Sequence, residues 1–186
     1  MQALTQLGEK NIDQGELKKL WSRCHADYFL RHTPQQLAWH ASALLKHNLN
    51  EPLILISTVS VHGGTEIFIW CPDRPSLFAS VAGELDRRNL NIHSAQIFTN
   101  KDNMTMDTFV VLDPKGQPLA HDRYENIRQA LLKVIKTPNS KTLKTRNAHH
   151  RFRHFNVPTK VHFLPNFNGR RTYMELVALD QPGLLA

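Results

Sequence analysis

The chain opens with apolar positions spaced at threes and fours. In GELKKLWSRCHADYFL, residues Leu17, Leu20, Trp21, Cys24 and Tyr28 fall on one helical face. TPQQLAWHASALLKH follows, with Thr33 placed to cap and Pro34 at the first helical position, where its missing N–H costs nothing. Two short helices are predicted within residues 1–50. The period then changes. LILISTVSV and TEIFIWC are rich in β-branched and aromatic residues and enclose His62-Gly63-Gly64, so Leu53–Val61 and Thr65–Cys71 read as strands joined in a hairpin.

After Pro72-Asp73-Arg74-Pro75, the apolar positions Leu77, Val81 and Leu85 fall four apart and predict an amphipathic helix, capped by Asp73 or Ser76. NIHSAQIFT and MTMDTFVVLD flank the turn cluster Asn100-Lys101-Asp102-Asn103 and make a hairpin, with Met104 and Met106 as core positions. A second helix follows, with Tyr124, Ile127, Leu131 and Val134 at helical spacing behind Asp122 as its expected cap. Residues 137–156 are basic and aperiodic, and TKVHFLP offers one more strand. From Thr65 the order is strand, helix, strand, strand, helix, strand. That is the split βαβ arrangement: an α+β, ferredoxin-like βαββαβ fold with a four-stranded antiparallel sheet and both helices on one face. The other face is expected to be open, which favours a binding module.

Composition narrows the picture a little. The 186 residues are 41% hydrophobic, and 23 Lys and Arg against 16 Asp and Glu give a net charge of +7, which permits an anionic partner without demanding one. Cys24 and Cys71 are the sole cysteines, so no disulfide framework is indicated and a reduced, cytoplasmic protein is expected. No stretch has the apolar length of a membrane span or the pattern of a signal peptide. One stretch is said twice: TEIFIWCPDRPSLFA, from Thr65, and TYMELVALDQPGLLA, from Thr172, share Thr, Asp, Pro, Leu and Ala at an offset of 107 residues.

The stretch from Thr65 to Gly116 resembles an ACT domain, a small regulatory module that binds amino acids. With DYFLRHTPQQLAWH before it and VPTKVHFLPNFNGRRTYMELVALDQPGLLA after it, the chain is similar to the C-terminal region of the bifunctional protein-PII uridylyltransferase/uridylyl-removing enzyme family. That resemblance implies two ACT domains in tandem. Residues 1–50 would be a helical linker region, 51–164 the first ACT domain with a basic insertion at 137–156, and 165–186 the start of a truncated second. It further implies glutamine as effector and control of the uridylylation state of the PII signalling protein. Association through ACT sheets would follow too, with neither nucleic acid nor membrane as partner.

No catalytic residue is expected here. The family's nucleotidyl transfer uses a Gly-Ser pair followed by two carboxylates one residue apart, and the chain has no Gly-Ser pair and no Asp-x-Asp, so Mg2+ is implied only for catalytic domains elsewhere and no cofactor or metal for this chain. His121-Asp122 echoes the pair that names the phosphohydrolases of the uridylyl-removing half, but a lone dipeptide at a helix start reads as a cap. The histidines His149, His150 and His154, among Lys141, Lys144, Arg146, Arg151 and Arg153, read as a solvated insertion.

The candidate site is the loop after the first strand. Asp73, Arg74, Pro75, Ser76 and Leu77 lead into a helix whose free N–H groups suit a carboxylate. Asp73 is placed to meet an amino group. The resemblance adds Asn91, Ile92 and His93 from a partner domain, and a second-copy loop at Asp180, Gln181, Pro182 and Gly183. Where the second copy has Gly183 the first has Ser76, whose side chain crowds the approach to the backbone. Two other readings compete: an RNA-binding module of the same strand order, for which Phe109 is the single aromatic in the relevant strand, and a self-associating ACT scaffold without ligand.

Overall fold

Ile67, Phe68, Ile69 and Trp70 form an unbroken apolar run, and all four are buried. A strand alternates its side chains between faces, so such a run needs cover on both. The computed structural model, which describes residues 12–57, 63–137, 158–164 and 173–178, supplies both covers. Three helices come first: α1 (Gln14–Ser22), α2 (Ala26–Arg31) and α3 (Pro34–Leu44). Strands β1 (Leu53–Ser57) and β2 (Thr65–Pro72), helix α4 (Leu77–Arg87), strands β3 (Asn91–Gln96) and β4 (Met104–Leu112) and helix α5 (Tyr124–Lys136) follow. Last come β5 (Lys160–Leu164) and β6 (Tyr173–Val177).

The main sheet is antiparallel in the order β1-β2-β4-β3. On one face Ile54, Ile67, Ile69, Phe109 and Val111 meet Leu77, Val81 and Leu85 of α4 and Ile127, Leu131 and Ile135 of α5. This is the expected α+β sheet with its two helices. The other face is not open. Phe68, Trp70 and Met106 pack there with Leu17, Leu20, Tyr28, Leu37, Ala41 and Leu44 of α1 to α3. Phe109, the aromatic that an RNA-binding surface would need exposed, is buried on the α4/α5 side.

The helical layer consists of three helices where two were expected. Asp13 caps α1 by accepting from the Gly15 amide at 2.7 Å, and the chain breaks at Arg23–His25 before α2. The break is fixed from the sheet side: Lys101 donates its amide to Arg23 O and its Nζ to Ser22 O, and Cys24 Sγ lies 3.7 Å from Met106 Sδ. Thr33 caps α3 as the sequence predicts, and with Gln36 it forms a reciprocal capping box. Between the layers sits a polar knot. His40 stacks on Phe68 at 3.9 Å and bonds Tyr28 Oη through Nδ1, and His32 Nδ1 donates to Tyr28 O while Nε2 accepts from Thr108 Oγ1. Burial lowers the pKa of both histidines.

Strand β5 does not join this sheet. It pairs with β6, and β1 takes the edge beside β2 that the fold assigns to the last strand of its unit. The boundary expected at residue 164 therefore does not follow the strand pairing. The residues explain the choice. Leu53 and Leu55 pack toward α1 to α3 and Ile54 and Ile56 toward α4 and α5, so this edge needs an apolar strand on both faces. Lys160 and His162 of β5 would bring charge and polarity to the first of those faces. A local hairpin also closes at lower entropic cost than a return across residues 137–159. Gly64, just before β2, lies close against β4: a Cβ there would meet Val110 Cγ1 at 2.7 Å.

The second hairpin repeats the first. Leu53↔Trp70, Ile54↔Ile69, Leu55↔Phe68, Ile56↔Ile67 and Ser57↔Glu66 are the pairs of β1 and β2. Displaced by 107 residues, they become Lys160↔Val177, Val161↔Leu176, His162↔Glu175, Phe163↔Met174 and Leu164↔Tyr173, which are the pairs of β5 and β6. The duplication visible in the sequence from Thr65 thus extends back to Leu53. Val161, Phe163, Met174 and Leu176, the counterparts of the buried Ile54, Ile67 and Ile69 and the partly buried Ile56, are exposed. The cysteines are free and buried, and among the described residues no helix is long and apolar enough to cross a membrane.

Candidate effector site at the loop after strand β2

The loop from β2 to α4 is held at both ends. Asp73 donates its amide to Asn103 O at 2.9 Å and its Oδ2 accepts from Thr99 Oγ1 at 2.8 Å. Leu77 sends its side chain into the core and its amide to Arg74 O at 3.3 Å, so it contributes structure and no side chain to a ligand. Asp73, Arg74, Pro75 and Asn103 line an open depression of about 310 Å³. Asn103 was not among the sequence candidates. Its signal was the Asn100–Asn103 turn cluster, whose left-handed Asn103 (φ 58°) turns its carbonyl toward the Asp73 amide.

Helix α4 starts without a side-chain cap. Ser76 occupies the N-cap position in the left-handed region (φ 60°, ψ 18°), and its hydroxyl makes no capping bond, contrary to expectation. Asp73, the other expected cap, is engaged with Thr99 instead. Backbone geometry decides this: with φ positive, the Ser76 side chain is not presented to the amides of the first turn as an extended N-cap residue presents it. Apart from the Leu77 amide, which is given to Arg74 O, the first-turn N–H groups and the positive end of the helix dipole are left for another anion.

Arg74 supplies the positive charge. Its Nη2 donates to Val134 O, in the last turn of α5, at 3.2 Å, while its Nε is buried with no hydrogen-bond partner among the described residues. Behind the loop, Asp107 accepts from the Phe98 amide at 3.1 Å. Burial, reinforced by the charge of Asp73, pushes the Asp107 carboxyl up to about 6. Burial also pushes the Cys71 thiol up to about 12, which removes it as a nucleophile near neutral pH.

The other expected half of the site lies elsewhere. Asn91 and His93 are exposed and Ile92 packs against the core, at the start of edge strand β3. Asn91 pairs with Leu112, whereas Pro72, next to the loop, pairs with Met104. Eight residues of β4 separate those positions, about 27 Å at roughly 3.4 Å per residue. One copy of the domain cannot close both halves on one small ligand. The pairing shifts between Ile92 and Ser94, which puts a bulge at His93 and re-aims the side chains there.

His121 and Asp122 lie in a short 3-10 turn (His121–Arg123) ahead of α5, and Asp122 makes no capping bond because that turn intervenes before the helix starts at Tyr124. His121 stacks on Tyr124 at 4.6 Å. Among the described residues no group of His, Cys, Asp and Glu could hold a metal ion. The basic tract at Lys141–His154 and the second-copy loop Asp180–Gly183 lie outside the described residues.

Comparison with known proteins places this architecture. The uridylyltransferase GlnD fifth domain family matches residues 1–43, and the ACT domain family matches residues 65–134. The bifunctional uridylyltransferase/uridylyl-removing enzyme of Photobacterium profundum is 51% identical over 95% of the chain. The enzymes of that name from Vibrio campbellii and Vibrio cholerae are each 47% identical, over 99% and 97% of the chain. The chain spans about a fifth of the length of these relatives, 20% to 21%. No solved structure matches it. With an ACT domain built on β2, α4, β3, β4 and α5, the chain is similar along nearly its whole length to the C-terminal region of the bifunctional uridylyltransferase/uridylyl-removing enzymes.

Proposed function

We propose that this chain is a glutamine-sensing regulatory segment that biases a uridylyltransferase/uridylyl-removing enzyme between adding and removing uridylyl groups on the PII signalling protein. The observation that carries the reading is the uncapped start of α4 beside Arg74 and Asp73. A free α-amino acid brings a carboxylate for the helix N-terminus and Arg74, and an ammonium for Asp73. Asn91 then reads the side-chain amide from a second domain. Regulation follows if the ligand binds one arrangement of domains better than another, and the shift can be no larger than that difference. Catalysis, and the Mg2+ it takes, belongs to parts of the enzyme outside this chain, which acts in the cytoplasm.

Association supplies the second half of the site. Among the described residues strand β3 has a free edge, while at the opposite edge Arg128 Nε donates to Ile54 O at 3.3 Å and guards β1 against added strands. Antiparallel pairing of β3 with β3 of a second copy reverses the strand and carries Asn91 of one copy toward the loop end of the other. The repeated register of β5 and β6 supports a second ACT unit that begins at Lys160 with its own strand pair.

Calorimetric titration of the chain with L-glutamine, against L-glutamate as control, tests the reading. Saturable heat with glutamine alone, abolished by Asp73→Asn and by Asn91→Ala, is expected. A ligand-free scaffold is the competing reading, favoured by the bond that Asp73 already makes to Thr99. Silence from a folded, associated chain decides for it.

A further inference from the structure

Arg74 belongs to the effector loop, yet its hydrogen bond reaches the far end of another helix. The last four carbonyls of an α-helix have no partner within it. In α5, Thr137 returns its amide to Lys133 O at 3.1 Å, and Arg74 Nη2 donates to the next carbonyl, Val134 O, at 3.2 Å. The guanidinium also places its charge at the negative end of the α5 dipole. Arg74 thus caps α5 from the loop that precedes α4. Its remaining contact with Pro75 O, 3.5 Å from Nη1, is too long to hold it.

The unpartnered Nε decides what a carboxylate can do here. Arginine grips a carboxylate with two parallel N–H groups, and the side-on pair is Nε with Nη2. Nε is buried and without a partner among the described residues, and one of the two N–H groups of Nη2 is given to Val134 O. A carboxylate in the open depression reaches the buried Nε only if the guanidinium turns toward the loop mouth, and that turn satisfies the orphan Nε and draws Nη2 away from α5. We infer that Arg74 is a two-position latch, capping the last turn of α5 when the loop is empty and releasing it when an amino acid's carboxylate binds. This rests on the sensor reading above. It gives that reading a physical output, because the chain leaves α5 there for the segment leading to β5 and β6.

Amide hydrogen exchange at Lys136 and Thr137, read with and without saturating L-glutamine alongside the calorimetric titration, tests the latch. In the unaltered chain glutamine should accelerate exchange at both amides by about three- to tenfold, the ratio that loss of one ordinary hydrogen bond gives. Arg74→Gln should show that fast exchange without ligand and no further change with it. Arg74→Lys, which keeps a point charge but has no fork, should bind glutamine more weakly without accelerating exchange. Heat without acceleration in the unaltered chain overturns the latch and leaves the sensor standing. Slow exchange in ligand-free Arg74→Gln overturns the capping role, and absence of heat overturns sensor and ligand-driven release together.

Discussion

Two residues of the loop region sit in environments that work against them. Ser76 holds a left-handed backbone that glycine adopts freely and that costs other residues about 1–2 kcal/mol. Asn89 and Asn103 are the other non-glycine residues with positive φ among those described, and asparagine tolerates that region better than serine does. Ser76→Gly, which writes into this loop the residue that follows Pro182 in its sequence repeat, should raise stability by up to about 1 kcal/mol, the relief being reduced by glycine's larger unfolded-state entropy. Urea denaturation reads it, and a loss of stability would show that the backbone is not strained there. Asp107 is the second case. Folded, it keeps its proton up to about pH 6, so between about pH 4 and 6 the native state binds more protons than the unfolded one and stability falls as pH rises. Asp107→Asn can still accept from the Phe98 amide. It should be more stable than the parent above pH 6, by about 2 kcal/mol, and no more stable at pH 4.

At the scale of elements, the expectation of an open sheet face failed for a reason visible in β2. An alternating strand has one dry face; TEIFIWC has no alternation, and Ile67 to Trp70 are buried in turn by opposite layers. The helical periodicity of residues 12–45 said that these helices had an apolar face, but not that the face was meant for the same sheet. Charged and polar partners far apart in sequence were not legible at all: His32 with Thr108, Arg23 with Asp102 and Arg74 with Val134 meet only through the fold. The interface between α1–α3 and the sheet is acid-sensitive. His32 and His40 are buried neutral, and below about pH 6.5 their unfolded counterparts take up protons that they refuse, so stability is lost as pH falls. This slope opposes that of Asp107. Asp107→Asn should therefore lose stability more steeply on acidification than the parent. Trp70, whose Nε1 donates to Leu49 O at 3.0 Å, reports the loosening of the α1–α3 layer by fluorescence. A fluorescence signal flat from pH 7 to 5 would show that the layer does not respond.

For the molecule as a whole, the sequence repeat marked a second beginning at Thr172, and the register of the two hairpins moves it back to the strand before. The separation of the site's two halves is the fact with the widest consequence. A loop and a strand end about 27 Å apart cannot act on one amino acid within a copy, so the account depends on two copies sharing a site. Mixing variants tests this most directly. Asp73→Asn has an intact strand end and Asn91→Ala an intact loop, and neither should bind glutamine alone. Mixed in equal amounts and allowed to exchange partners, they should recover about a quarter of the parent's binding sites, because half of the pairs are mixed and each mixed pair holds one intact site. No recovery, or full binding by either variant alone, would contradict a site built between two domains.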